Sequence, residues 1–192
     1  MSTNQSSWIR WFAVSVVVAA LVSPVGSSTV RPVNLEEMTT QAAIIFAGRC
    51  VASEVVRDGS LGLDVTVATF EATRWIKGDA RPRVTLRFLA ATPDSRIMGL
   101  PGFTTGEELV LFLHGVSDLG LTSPVGLGQG KFEVHVDKHG GKVAINATGN
   151  STLMQGLSPD AMSKIGSAPS VGQATTGIDP TALLDLAARI AQ

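Results

Sequence analysis

His135, Asp137 and His139 stand two residues apart along the chain, and each is a type that can hold a metal ion. On an extended strand such positions share one face, so two imidazoles and a carboxylate would converge on one point, the donor set of a zinc-like site. Asp137 to Gly141 reads as a turn, however, and a turn breaks the alternation before His139. The same face carries Lys131 and Glu133, the pattern of an ordinary solvated strand. The expectation is therefore no metal and no cofactor, with His135, Asp137 and His139 as the residues that would have to supply one.

The other reactive groups are similarly bland. Gly126, Gly128 and Gly130 alternate like a phosphate cradle, but they lead into a strand at Lys131, whereas a cradle leads into a helix. They read as glycines that let the backbone turn tightly. Ser, His and Asp all occur, yet no Gly-x-Ser-x-Gly elbow does. His114 directly follows an apolar run and reads as a hydrogen-bonded surface residue at a strand end. Glu107 and Glu108 are adjacent, so on a strand they point to opposite faces and cannot act as a close acid/base pair. Cys50 is the only cysteine, so no intramolecular disulfide forms, and its apolar setting (IIFAGRCVA) reads as a small buried hydrophobe. Asn146-Ala147-Thr148 and Asn150-Ser151-Thr152 match the glycosylation acceptor, which has meaning only in a eukaryotic secretory pathway.

The elements that must position these groups are mostly strands. Asn34 followed by Glu37 forms a capping-box pattern, and Leu35, Met38 and Ala42 share a helical face, so a short helix is expected over about 35–43. Ile44 to Val56 starts apolar at both odd and even positions, as a strand covered on both faces does. Arg57 to Ser60 is a turn. Leu63, Val65 and Val67 alternate and then give way to Phe70 and Ala72, a phase change that predicts a β-bulge near Ala68-Thr69. Val84–Phe88 alternates, Leu109–Leu113 is apolar throughout, and Phe132–Val136 returns through a hairpin to Val143–Ile145. No helix-length crossover separates these strands.

Two connections, 90–106 and 114–130, are longer than ordinary loops. The first carries Ile97, Met98, Leu100 and Phe103, which either cap the core or face a partner. These four are the residues expected to bind one. Beyond Asn150 the composition changes. Residues 166–177 read as a linker, with a helix starting at Ser158-Pro159 and stopping at Gly166, and another starting at Asp179-Pro180. Leu183, Leu186, Ala187 and Ile190 stripe the last helix, which either docks on the domain or serves as a partner-binding tail.

Arg10 is the only charge in the first thirty residues, and an apolar run from Trp11 to Val22 follows it. Pro24, Gly26, Ser27 and Ser28 then supply the break and small residues of a secretory signal. A membrane-spanning helix needs about 20 apolar residues, so the run from Trp11 to Val22 is short for one. The alternatives are a signal cleaved after Ser27 or Ser28, which leaves no stable span, and an uncleaved N-terminal anchor. The formal net charge of −1 disfavours nucleic acid as a partner. The expected organisation is a signal peptide over 1–27, a β domain over 28–150, and a linker with C-terminal helices over 151–192. In fold class the chain is mainly β: a small five- to six-stranded antiparallel OB-like barrel with a short N-terminal helix and a C-terminal helical tail.

Taken in order, AIIFAGRC, the strand ending in Ile76-Lys77-Gly78, the run Gly106-Glu107-Glu108-Leu109-Val110-Leu111-Phe112-Leu113, and Gly128-Gln129-Gly130-Lys131-Phe132 resemble a group of uncharacterised secreted bacterial proteins. More distantly they are similar to the netrin-like module of tissue metalloproteinase inhibitors, over about residues 34–147. The resemblance implies an OB-like barrel and a binding role. Inhibitors of that type reach the enzyme's metal through an N-terminal cysteine and carry many disulfides, whereas Cys50 stands alone here, so no inhibitory residue carries over. The functional expectation is a secreted or periplasmic, non-enzymatic binding module that meets an extracellular protein, such as a peptidase, through loops 90–106 and 114–130. The alternatives are a structural component of an envelope assembly, using the apolar face of the tail, or a metal-dependent hydrolase using His114 or His135.

Overall fold

The computed structural model describes residues 31–92, 99–166 and 177–192. Helix α1 (Leu35–Gln41) begins where Asn34 Oδ1 accepts the Glu37 amide at 2.9 Å. Only half of the expected capping box forms, because the Glu37 carboxylate turns out to Arg31. At the other end, Lys77 Nζ donates to the carbonyls of Thr39 (2.7 Å) and Ala42 (3.2 Å), a cation where helix carbonyls lack partners.

Six strands follow: β1 (Ile44–Asp58), β2 (Leu63–Lys77), β3 (Arg83–Leu89), β4 (Glu108–Leu113), β5 (Lys131–Val136) and β6 (Lys142–Asn146). They form one antiparallel sheet in the order β3-β2-β1-β4-β5-β6. The chain is thus mainly β, and the sheet is open, with β3 and β6 at its edges, so its strand pairings alone close no barrel. The outer edge of β6 is instead taken by Ile178, which exchanges backbone hydrogen bonds with Ala144 at 2.7 and 3.2 Å. At β3, Thr122 N–H donates to Arg87 O at 2.8 Å, and Pro124 bridges Leu113 at the end of β4. Segment 121–125 therefore stands between β3 and β4.

The sheet carries a core on each face. β4 explains why: its continuous apolar run sends Val110 and Phe112 one way and Leu109, Leu111 and Leu113 the other, none more than 1 % exposed. Val110 and Phe112 join Ile45, Phe132 and Ala144 beneath the helices. Leu109, Leu111 and Leu113 join Phe46, Cys50, Phe70, Leu86, Phe88 and Phe103 within the curl of β1–β3. A fully buried side chain of this size contributes ~1.5–3 kcal/mol.

The bulge is real but displaced. Cys50 pairs with Phe70 and Ala52 with Thr69, so the extra residue is Val51 of β1, not a residue of β2 near Ala68. Further shifts lie between Ile45 and Phe46 and between Ala47 and Gly48. On β2, Ala68 and Phe70 share the inner core with Ala72 packed against it, so the strand keeps one phase there.

Helix α2 (Pro159–Ile165) starts at Ser158, whose Oγ accepts the Ala161 amide at 3.1 Å, and stops at Gly166 with φ 60. Helix α3 (Pro180–Ile190) starts at Asp179, whose Oδ1 accepts the amides of Thr181 and Ala182, both at 2.9 Å. Both starts fall where the Ser-Pro and Asp-Pro pairs predict. Leu183, Leu186, Ala187 and Ile190 are buried in the helix-covered core together with Ile165. The apolar face on which an envelope assembly would depend is therefore occupied inside the chain. Among the described residues no helix is long and apolar enough to cross a membrane.

Candidate functional site

Lys131, Glu133 and His135 alternate along β5 and point to one side of the sheet, with Glu107 entering from the start of β4. Loop residues Gly99–Thr104 lean over them and convert this face into a cleft of about 600 Å³. Its walls are Leu100, Pro101 and Gly102 on one side and Ile145–Ala147 on the other. The sequence pattern reads this face as solvated. The structure corrects that for Lys131, whose side chain is 8 % exposed because the loop covers it, while Glu133 is only half-buried and His135 is exposed, as the pattern predicts.

The buried ammonium is fully engaged. Nζ lies 2.7 Å from Glu107 Oε1 and 3.1 Å from Glu133 Oε1, donates to Gly102 O at 2.8 Å, and sits 5.3 Å from the ring centre of Phe103. Glu107, 16 % exposed on its side chain, also accepts the Thr104 amide through Oε2 at 3.1 Å, so the same carboxylate ties the loop to the strand. Burial works to raise the Glu133 pKa. The hydrogen bond and charge of Lys131 outweigh it and hold the carboxyl below its ordinary value. His135 Nε2 stands 3.6 Å from Glu133 at the exposed rim. Glu108 faces elsewhere, bound by Arg49 and Lys142, each at 2.6 Å, which hold it too below the ordinary carboxylate range. The adjacent glutamates thus serve separate clusters, as their alternation predicts.

This network of Lys131, Glu107 and Glu133 was not singled out by sequence. The available signal is that one lysine and one glutamate share the His135 face, but nothing local says that a loop some thirty residues earlier covers them.

Of the four loop residues expected to meet a partner, Ile97 and Met98 lie outside the described residues. Leu100 is half-buried in the cleft wall. Phe103 takes the first of its two alternatives: it is 8 % exposed and packs its ring 4.4 Å from Phe88 and 5.4 Å from Phe70, so it caps the inner core. The metal candidates do not converge. Asp137 Oδ1 accepts the amides of His139 (2.8 Å) and Gly141 (2.9 Å), closing the β5–β6 hairpin, and His139 belongs to that turn. Among the described residues no three His, Cys, Asp or Glu side chains group to hold a metal ion. His114 is engaged by its backbone, giving its N–H to Ser123 O at 2.9 Å and accepting Thr122 Oγ1 at 2.7 Å.

Cys50 is buried, its thiol 3.4 Å from Ala52 O, and burial pushes its pKa up, with Glu107 adding to the rise. The glycine triplet is structural. Gly126 adopts φ 63, and a Cβ on Gly130 would collide with the backbone of Val125 and Phe112 at 2.6–2.8 Å. The two acceptor-like asparagines are interior hydrogen-bonding groups. Asn146 Nδ2 donates to Gln129 O at 3.0 Å, Asn150 Nδ2 donates to Ala144 O at 2.9 Å, and both residues are buried. A glycan on either would have to open that turn.

In comparisons with known proteins, no protein-family model, no curated protein and no solved structure matches this chain.

Proposed function

We propose that the protein is an exported, non-enzymatic binding module whose partner, an extracellular protein of which a peptidase is one case, seats in the cleft over Lys131. One observation carries the reading: the two long loops meet there. Gly128 N–H of the second loop donates to Gly99 O of the first at 3.1 Å, and both residues line the cleft. Loops of this length that converge on a concave, partly apolar site held by rigid strands are what a recognition surface requires.

The chemistry of the cleft favours binding over catalysis. Both carboxylates beside Lys131 already hold its ammonium, which leaves no free nucleophile–base pair there. The OB-like reading draws support from segment 121–125. Its bridges to β3 and β4 follow the path by which a partly open barrel of that kind closes. Export rests on Arg10, the apolar run Trp11–Val22 and the small residues that follow.

The test is recovery of partners from an extracellular fraction by the intact protein and by a variant with residues 96–102 replaced by a Gly/Ser segment of equal length. Phe103 is retained to keep the core plugged. The variant is expected to lose partners that the intact protein retains, and equal recovery by both would refute the reading.

A further inference from the structure

Among the described residues, the outer edge of β3 presents unpaired backbone at Arg83 and Thr85, beside a largely apolar groove. Two hydrogen bonds fix which groups face outward. Ala90 N–H donates to Asp64 O of the β2 side at 3.1 Å, so the even-numbered residues of β3 face β2. Thr122 N–H donates to Arg87 O at 2.8 Å from the opposite side, so the odd-numbered residues face away. By the alternation of an antiparallel pair, Arg83 and Thr85 turn their N–H and C=O outward. Among the described residues no backbone group meets them.

Beside Thr85 runs a groove of about 400 Å³, its apolar wall formed by Ile44, Trp75, Val84, Leu86 and Val116, with the Asp79 and Arg81 pair also lining it. Trp75 is held across its floor by its indole N–H, which donates to Arg81 O at 3.0 Å. Val116, at the mouth, is 54 % exposed. Gly115 and Val116 belong to the chain leaving β4, so the groove is the gap left where the sheet does not close.

We propose that this gap accepts an extended segment of a partner polypeptide, which pairs with Thr85 and Arg83 as an added strand and lowers alternate apolar side chains into the groove. The molecule already fills the adjoining part of the gap in this way. Thr122 bridges Phe88 in parallel and Pro124 bridges Leu113, so segment 121–125 lies between β3 and β4 and the added strand continues its line. Outward N–H and C=O groups select a backbone, and the apolar lining selects side chains such as valine. Arg83 and Arg87 are tied to Glu71 and Asp58, and Arg81 to Asp79, so no described charge of the edge or groove is left to demand an acidic ligand. A second copy fits less well. Antiparallel self-pairing centred on Thr85 would need the outward carbonyl of Arg87 in each copy, and the Thr122 N–H already holds it. This surface shares no lining residue with the cleft over Lys131, so either reading can fail alone.

The probe is a capped octapeptide, Lys-Val-Thr-Val-Thr-Val-Thr-Lys, titrated into the ¹⁵N-labelled protein. Shift changes are expected at Val84–Arg87 and His114–Val116, with slowed exchange of the Thr85 amide. The same peptide N-methylated at its valines is expected to bind about tenfold more weakly or worse. Thr85→Pro removes the outward N–H and is expected to weaken binding by about tenfold, an edge position being where a strand tolerates proline. Should that variant not fold, Val116→Glu places a charge at the exposed mouth and is expected to give a similar loss. Three results would overturn the proposal: no shifts at these amides, equal binding of the N-methylated peptide, or concentration-dependent self-association through the same amides without peptide.

Discussion

Lys131 shows how one residue joins a loop to a sheet. Its ammonium meets two carboxylates, a carbonyl and an aromatic face, and two of these, Gly102 O and Phe103, belong to the loop over the cleft. Removing the cation strands Glu107, which is 16 % exposed and has the Thr104 amide as its remaining partner. Breaking a buried pair in this way costs about 3 kcal/mol, the low end of the range because Glu107 keeps some water. Lys131→Met is therefore expected to lower stability by about that much in urea denaturation. Adding Glu107→Gln removes the stranded charge and should recover at least about 1 kcal/mol of the loss. If the two costs simply add, the residues are not coupled and the network is not what holds the loop. The sequence shows Lys131, Glu133 and His135 on one strand face, which is correct, but exposure is a property of what lies above the face. That depends on a loop remote in sequence, so periodicity reads the face as solvated.

At the scale of elements, local signals were legible where the physics is local. Asn34, Ser158-Pro159 and Asp179-Pro180 cap helices by bonding amides two or three residues on, and each opens a helix where expected. The apolar run Leu109–Leu113 is buried on both faces because every one of its side chains needs cover. Strand register is not local in this sense. The apolar pattern of β2 suggests a phase change, yet Ala68, Phe70 and Ala72 keep one phase. The extra residue sits on β1 at Val51, and only the pairing of the two strands decides which one carries it. Gly48 lies beside a second shift, and its role is likewise invisible from β1 alone: a Cβ there would press on the Glu71 carbonyl and come within 3.0 Å of Ala72 Cα. Both obstacles are backbone, so they yield only if β2 moves. Gly48→Ala is expected to cost about 1–3 kcal/mol, read as a lowered denaturation midpoint. A neutral result would mean that the β1–β2 ladder has slack at the shift.

Across the whole molecule, β1 and β4 form a wall common to two cores. Ile45 and Phe112 face the helices, while Phe46 and Leu111 face the curl of β1–β3. The open sheet follows from this arrangement. α1, α2 and α3 cover the face of β4, β5 and β6, and Ile178 takes the free edge of β6. No strand pattern reports that outcome, because alternation tells which face is buried and not which edge meets which. The shared wall has a thermodynamic consequence. Neither core can lose its packing while β1 and β4 stay in place for the other, so the molecule should unfold in one step despite having two clusters. Trp75 stacks on Phe46 at 4.9 Å and reports the curl, and in a chain beginning at Ser28 it is the only tryptophan. The helices report the other core through far-ultraviolet circular dichroism. The fluorescence and dichroism transitions are expected to coincide in temperature and in urea, the mark of two-state unfolding. Loss of helix signal before Trp75 responds would show that the helix-covered core opens alone, and that the wall does not couple the two faces.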